Sequence, residues 1–363
     1  MTSIYVVRHT QAEGNLYRMM QGHWDGNVTQ DGKKQIDKLA ERFKDVHIDA
    51  VYSSDLRRAV ATAEGITRYN GLSITTDERL REIDMGPLET EFFGNLYHLD
   101  PENAKLFMYD SDNWYYPGAE TFARVKERVY EGLEDIAKRN DGKVIAVVSH
   151  GVAIRCLLSK IKNVPLSDIR NCPICKNTSV AFFTYDEGNF NCEYFNDVSH
   201  LGDEHEYHWW KTEDLRDEVI DVAENEKYYK DCYKDAWLFA HCGDLSGYNE
   251  NSYFSLAKKH TVYKLLSDDT EAGLVELSDR GVKDGYGWIC LLYLNEKYRG
   301  KGYGTQALGR AVSYFSKKGI RTLRLHCAAS NNAAFKFYIN CGFKIIATES
   351  GAQGPLYLME RKQ

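Results

Sequence analysis

Proline is scarce: the 363-residue chain has six, where an average composition of about 5% would supply roughly 18, so a proline-rich linker protein or a collagenous repeat is excluded. No run of about 18 apolar residues occurs, and no segment is therefore expected to span a membrane. Met1 leads straight into the strand-like Ile4-Tyr5-Val6-Val7, without a basic stretch and long apolar core, so no secretory signal is expected. The nine cysteines follow no regular spacing. Their odd number argues against a disulfide framework and for reduced thiols in a cytoplasm. No internal repeat is visible, which favours unrelated domains over a duplication.

What is present is globular. Hydrophobic residues make up 43% and charged residues 27%, so disorder is excluded as the main state. At about 150 residues per domain the length suggests two to three domains. The net charge of −7 is unevenly spread: residues 1–205 carry −8, residues 206–250 carry −7 and residues 251–363 carry +8. A basic last third attracts polyanions, among them phosphorylated cofactors.

Strands and helices alternate through the first 200 residues. Ile4–Val7, Asp49–Ser53 and Lys143–Val148 read as strands. Asp31–Phe43, Asp55–Tyr69 (capped by Ser54 or Asp55), Thr121–Arg139 and Val152–Ile161 read as helices. Ser179–Tyr185 and Phe190–Phe195 form a hairpin pattern about the turn Asp186–Asn189. The alternation predicts an α/β layer structure. Beyond residue 200 a His- and Trp-rich segment leads into an acidic helical stretch, and then a strand-rich region over Tyr263–Leu294. We place the domain boundary between residues 205 and 206.

Arg8-His9 and Ser149-His150-Gly151 each follow a strand, where open α/β sheets bind ligands. Ser53–Ala59 follows a third strand, and Leu80-Arg81-Glu82 lies further on. Arginine forks match phosphate oxygens, an imidazole can attack phosphorus, and a carboxyl group can protonate a leaving oxygen. Together with Asn15, Gln21-Gly22, Asp25, Thr29, Gly32, Gln35, Thr62-Ala63 and Gly118-Glu120, these residues resemble the histidine phosphatase superfamily, which includes cofactor-dependent phosphoglycerate mutase. The resemblance implies a three-layer α/β/α phosphoglycerate mutase-like fold and no metal. It implies that His9 becomes phosphohistidine, that Arg8, Arg58 and His150 hold the phosphoryl oxygens with Asn15 nearby, and that Glu82 is the proton donor. Thr10 stands where the family usually has glycine, and its Cβ is expected to press on the pocket. Only about 35 residues separate Glu82 from the helix near Ala119, fewer than the shielding insertion of mutases needs. A phosphatase acting on a small phosphorylated metabolite is expected, with a mutase as the alternative. Trp114-Tyr115-Tyr116 and Phe92-Phe93 either shape the leaving-group pocket or pack as core.

In the last third, the apolar strand Trp288–Leu294 leads through Arg299-Gly300-Lys301-Gly302-Tyr303-Gly304 into the helix Thr305–Lys317. Such a turn presents backbone N–H groups to a pyrophosphate. It lacks the Gly-Lys-Ser/Thr ending of a P-loop. With Asn331, Ala334, Tyr338 and Gly342-Phe343, it resembles the coenzyme A signature of the GNAT acetyltransferase superfamily. The resemblance implies an α/β acyl-CoA acyltransferase fold and acetyl-CoA held by Leu292, Tyr293, Leu294, the Arg299–Gly304 turn and Asn331. Tyr338 would be the general acid for the departing thiolate, and the acceptor an amine. Glu276 is a candidate base by position alone. Cys172-Pro173-Ile174-Cys175 lacks a second ligand pair for zinc, and His205, His208, Trp209 and Trp210 are expected to pack at the domain junction. The sequence thus reads as a bifunctional cytoplasmic enzyme with no nucleic-acid or membrane partner, a homodimer being open. A GNAT-like module that senses coenzyme and regulates the phosphatase is the alternative for the second domain.

Overall fold

The computed structural model describes residues 1–202, 213–351 and 353–362. They fall into two compact units, Met1–Glu91 with Leu96–Tyr207 and Phe92–Asn95 with His208–Gln363. His205, His208, Trp209 and Trp210, and with them the boundary at 205/206, lie outside the described residues. Among the described residues no helix is long and apolar enough to cross a membrane.

In the first unit β1 (Thr2–Arg8), β2 (Ala50–Ser53), β3 (Ile74–Thr76), β4 (Val144–Ser149), β5 (Val180–Asp186) and β6 (Asn189–Asp197) form one sheet in the order β3-β2-β4-β1-β5-β6. The first four strands are parallel; β5 pairs antiparallel with β1, and β6 antiparallel with β5, so that β5 alone runs against the rest. The helices along this part of the chain are α1 (Glu13–Tyr17), α2 (Gln30–Phe43), α3 (Arg57–Thr67), α4 (Phe93–Leu99, whose first three residues group with the second unit), α5 (Pro101–Tyr109), α6 (Phe122–Arg139) and α7 (Gly151–Ile161). A parallel strand covered by helices on both faces must be apolar nearly throughout. Ile4, Val6, Val7 and Ile145–Val148 are accordingly buried. Leu39 and Phe43 of α2 and Ala59 and Ala63 of α3 pack on Val7, Val51 and Val148 in one core.

The register of β1 on β4 sets the site. Arg8 lies opposite Ser149, the last pair of the ladder, so His9 and His150 leave the sheet side by side. One expected cap is corrected here. Neither Ser54 nor Asp55 caps α3, whose N-cap is Leu56. Asp55 is engaged instead by Arg81, and the first helical N–H, that of Arg57, donates to the carboxylate of the distant Asp25 at 3.0 Å.

The second unit has β7 (Arg216–Val219), α8 (Glu226–Ala240), α9 (Glu250–Ala257), β8 (Thr261–Ser267), β9 (Thr270–Ser278), β10 (Tyr286–Leu294), α10 (Tyr303–Ser316), β11 (Thr322–Ala328), α11 (Asn332–Asn340), β12 (Lys344–Gly351) and β13 (Gly354–Lys362). Its seven-stranded sheet runs β12-β13-β11-β10-β9-β8-β7. β10 and β11 pair in parallel from Tyr286↔Thr322 to Ile289↔Leu325 and then stop, while β10 keeps pairing with β9 as far as Leu294↔Gly273. A register shift between Ile289 and Leu291 marks the point of divergence, as expected where a bulge bends a strand away from one neighbour. Beyond it the two strands part, and a cleft opens in the sheet.

Leu39 is fully buried at the centre of the first core. Leu39→Ala should therefore lower stability by about 2–5 kcal/mol, read as a fall in the urea midpoint. A midpoint unchanged within error would mean that this core does not limit stability.

Candidate active sites

His9 is 3% exposed, and its Nδ1 lies 2.6 Å from the Thr10 carbonyl oxygen. A carbonyl can only accept, so Nδ1 carries the proton and Nε2 the lone pair. Burial, then Arg58 and Arg8, hold the imidazole well below the usual histidine value, so it stays neutral and nucleophilic. The His150 ring stands 5.0 Å away. It is fully buried, with neither nitrogen partnered among the described residues, and is likewise held neutral, by burial first and then by Arg58, His9 and Arg8.

Arg58 is wholly buried. Its two terminal nitrogens donate to the Gly22 and Trp24 carbonyl oxygens at 2.7 and 3.1 Å, and burial pushes the guanidinium down to about 10. Arg8 donates to the Cys175 carbonyl oxygen. The Nε atoms of both arginines are buried without a partner among the described residues. Two guanidinium groups with free donors beside two neutral imidazoles make a cationic, dry pocket that suits a phosphoryl group.

Glu82, 7% exposed, accepts from the backbone N–H of Val152 and Ala153 in the first turn of α7, at 3.1 and 2.9 Å, and from Ile83 at 3.1 Å. It thereby caps a helix whose own N-cap, His150, makes no side-chain cap. Asn15 lies one layer back, its Oδ1 accepting from the Ala12 N–H at 3.1 Å and from Asn177 at 3.3 Å.

In the second unit a cavity of about 530 Å³ occupies the cleft between β10 and β11. Leu292, Tyr293, Leu294, Arg299, Gly300, Gly302, Gly304, Asn331 and Tyr338 line it, whereas Lys301 and Tyr303 do not. Tyr303 is turned inward, edge-on to Tyr298, and Lys301 is exposed. Gly300 and Gly302 have φ of +72° and +90°, a region that costs other residues free energy, and Gly302 is the N-cap of α10. The fit to a coenzyme pyrophosphate lies in this left-handed turn ahead of a helix N-terminus. The Arg299 side chain turns away from the turn. It donates to the Leu294 carbonyl oxygen at 2.7 Å and pairs with Asp235 of α8 at 2.6 Å. Burial raises the Tyr338 phenol, so it keeps its proton.

The profile of the histidine phosphatase superfamily (branch 1) matches residues 4–198, and that of the acetyltransferase (GNAT) family matches residues 220–343. The chain belongs to the histidine phosphatase superfamily. It also carries a GNAT domain. A probable phosphoglycerate mutase, GpmB, of Salmonella choleraesuis (strain SC-B67) is 32% identical over 206 residues, 55% of this chain and 95% of that protein. Among solved structures, Bacillus stearothermophilus YhfR is 31% identical with a TM-score of 0.54, over 55% of this chain and all of that one. An Entamoeba histolytica phosphoserine phosphatase in complex with 3-phosphoglyceric acid is 28% identical with a TM-score of 0.50, again over 55% and 100%.

Within the histidine phosphatase domain Thr10 has its side chain buried and hydrogen-bonded to α2. Its hydroxyl donates to the Gly32 carbonyl oxygen at 2.6 Å and lies 3.0 Å from Gln35 Oε1. Its φ is not among the positive ones, so the position does not need glycine's conformational freedom. Arg57 is half-exposed and paired with Asp25, outside the pocket. Trp114 joins the core against Phe107 and Phe122, and Tyr115 is exposed. Cys172 and Cys175 are buried loop residues whose carbonyl oxygens accept from Arg155 and Arg8.

Three positioning residues are absent from the sequence reading. Arg128 donates to the carbonyl oxygens of Arg79, Arg81 and Glu82 at 2.6–2.9 Å, and so fixes the segment carrying Glu82. Glu89 accepts from the N–H groups of Gly22, His23 and Trp24, so one loop is gripped between it and Arg58. Asn177 donates to the His9 carbonyl oxygen at 2.9 Å. None has a local signature. The Gly118-Glu120 motif came nearest, because Glu120 is the ion-pair partner of Arg128 at 2.7 Å.

His9 and His150 have depressed folded-state values, whereas in the unfolded chain they titrate near 6.5. Below about pH 6.5 the unfolded chain binds more protons, so stability is full above that pH and is lost as pH falls. Each histidine contributes a slope of at most about 1.4 kcal/mol per pH unit. Urea midpoints should fall between pH 7 and pH 5, and less steeply in His150→Asn. An identical slope in the variant would place the proton uptake elsewhere.

Proposed function

We propose that residues 1–205 hydrolyse a small phosphate monoester through a phosphohistidine, and that residues 206–363 transfer acetyl from acetyl-CoA to an amine. The phosphatase reading rests on one observation: the buried, neutral His9 ring stands 5.0 Å from His150 and feels the charges of Arg58 and Arg8, whose Nε atoms have no partner among the described residues. The Nε2 lone pair forms the N–P bond while the ester P–O bond breaks. Glu82 gives its proton to the departing oxygen, then takes one from the water that cleaves the N–P bond. Arg8, Arg58 and His150 hold the phosphoryl oxygens as their charge shifts. The phosphoserine phosphatase likeness and the short segment after Glu82 support hydrolysis. The likeness to a probable phosphoglycerate mutase supports a second reading, transfer of the phosphoryl group back to an organic hydroxyl.

His9→Ala should lower hydrolysis of an aryl phosphate by several powers of ten and abolish the acid-labile label that a ³²P-substrate leaves on the quenched protein. Near-normal turnover in this variant would remove the nucleophile assignment. Glu82→Gln should slow an alkyl phosphate far more than an aryl phosphate, because a general acid matters most for a basic leaving group. Equal losses on the two esters would count against Glu82.

For the GNAT domain, the cavity in the β10/β11 cleft and the left-handed Gly300–Gly302 turn at its rim support acetyl-CoA binding. Gly302→Glu places both a Cβ and a negative charge at this turn, and calorimetric titration with acetyl-CoA should show at least about a ten-fold loss. Tyr338→Phe should leave that affinity within a few-fold while lowering thiol release. Undiminished binding by Gly302→Glu would refute the cofactor site.

A further inference from the structure

Three side chains of the second unit bring donors of three different kinds to one spot. His260 stands just ahead of β8, Glu276 lies in β9 and Cys290 in β10, and these three strands are neighbours in the sheet. One His260 nitrogen, one Glu276 carboxylate oxygen and the Cys290 sulfur all lie within 4.8 Å of one another. The strand register brings them together. Glu276 pairs with Val262, two residues past His260. On its other side Leu277 pairs with Ile289 and Glu276 with Leu291, so Cys290 is the extra residue of the bulge in β10. A bulge re-aims a side chain, and here it is the residue that carries sulfur.

Zinc is bound by histidine nitrogen, cysteine sulfur and carboxylate oxygen. The mixed set of nitrogen, oxygen and sulfur suits a borderline-soft divalent ion, whereas magnesium or calcium calls for oxygen alone. Glu276 is 2% exposed, unlike the acids of a solvated surface cluster. Its Oε2 accepts from the Tyr229 hydroxyl at 2.8 Å, and Tyr229 is itself 1% exposed. The other oxygen, Oε1, lies 2.6 Å from His260 Nδ1. Outer hydrogen bonds of the Tyr229 kind hold a metal-ligating carboxylate in its orientation. Cys290 also lines the cavity in the β10/β11 cleft, which supplies an entry path. Ligand identity, ligand count, a filled outer layer and access are the features by which such a site is judged.

We infer that His260, Glu276 and Cys290 form a binding site for zinc. Three protein donors leave a tetrahedral ion one position short, so the site is of the exchangeable kind, with water as the fourth ligand, and not a closed structural one. Binding makes one Zn–N, one Zn–O and one Zn–S bond. The thiol proton leaves to solvent, His260 keeps its single ring proton on the nitrogen away from the ion, and no electron is transferred. The site goes beyond the acetyltransferase reading and stands whether or not the cavity takes acetyl-CoA.

The test uses the full chain, stripped with a chelator and titrated with cobalt(II) as a coloured substitute, then with zinc. Cobalt should produce a thiolate-to-metal charge-transfer band that saturates and is bleached by zinc. Competition with a chromophoric chelator should give a zinc dissociation constant of about 1 μM or tighter. Cys290→Ser should abolish the band and weaken zinc by about 100-fold or more. Glu276→Gln and His260→Asn should each weaken zinc to a similar extent, and Tyr229→Phe by about ten-fold with the band retained. Replacing Cys172 and Cys175 together by serine should change neither reading. In the unmutated chain, where no substitution can disturb folding, zinc should protect Cys290 from iodoacetamide, scored by peptide mass spectrometry. A band that survives Cys290→Ser, or equal alkylation of Cys290 with and without zinc, overturns the inference. So does a zinc affinity that neither Glu276→Gln nor His260→Asn moves, because the thiol would then be binding alone.

Discussion

The parallel pairing of β1 with β4 is the constraint on which the phosphatase domain depends. Because the ladder ends at Arg8 opposite Ser149, two histidines 141 positions apart in sequence become neighbours with ring centres 5.0 Å apart. A slip of one residue in that register would send one of them to the other face of the sheet. The apolar runs that fix the register, Ile4–Val7 and Ile145–Val148, make no contact with substrate in the proposed reaction. They act through placement.

Placement has an electrostatic cost. Arg58 is buried completely, and desolvation weakens its hold on its proton, although Glu82, Asp25 and Glu89 act in the opposite sense. The Gly22 and Trp24 carbonyl oxygens satisfy two of its donors, and Glu89 fixes the same loop from its other side. A charge held in this way cannot relax toward an arriving anion, and needs no reorganisation when the anion's charge shifts. The loops around the pocket serve this stiffness: Asn177 and the segment following Cys172 fasten Arg8 and His9, and Arg128 fastens Glu82.

The two domains use a helix N-terminus in opposite ways. In the first, the N–H groups of Val152 and Ala153 in α7 are occupied by a side chain of the protein, Glu82, which fixes the carboxyl group in place. In the GNAT domain α10 begins at Gly302 without a side-chain cap, and the turn ahead of it borders the cavity. The signature arginine there latches the strand end to α8 through Leu294 and Asp235, and so holds the cavity wall.

The sequence by itself determined the α/β class of both domains and most of the residues around the two sites. Apolar periodicity reflects burial directly, and Arg8-His9, Ser149-His150 and the Arg299–Gly304 turn are each local in the chain. It did not reveal α4 and α5, or the hairpin of β12 and β13, where β12 is largely exposed and alternates weakly. Nor could it yield Asp25 as the cap of α3, Arg128 as the clamp on Glu82, or the Glu276–His260–Tyr229 group, because each joins residues 16 or more positions apart. Those contacts exist only once strand order has been chosen, and strand order follows from how whole layers bury one another.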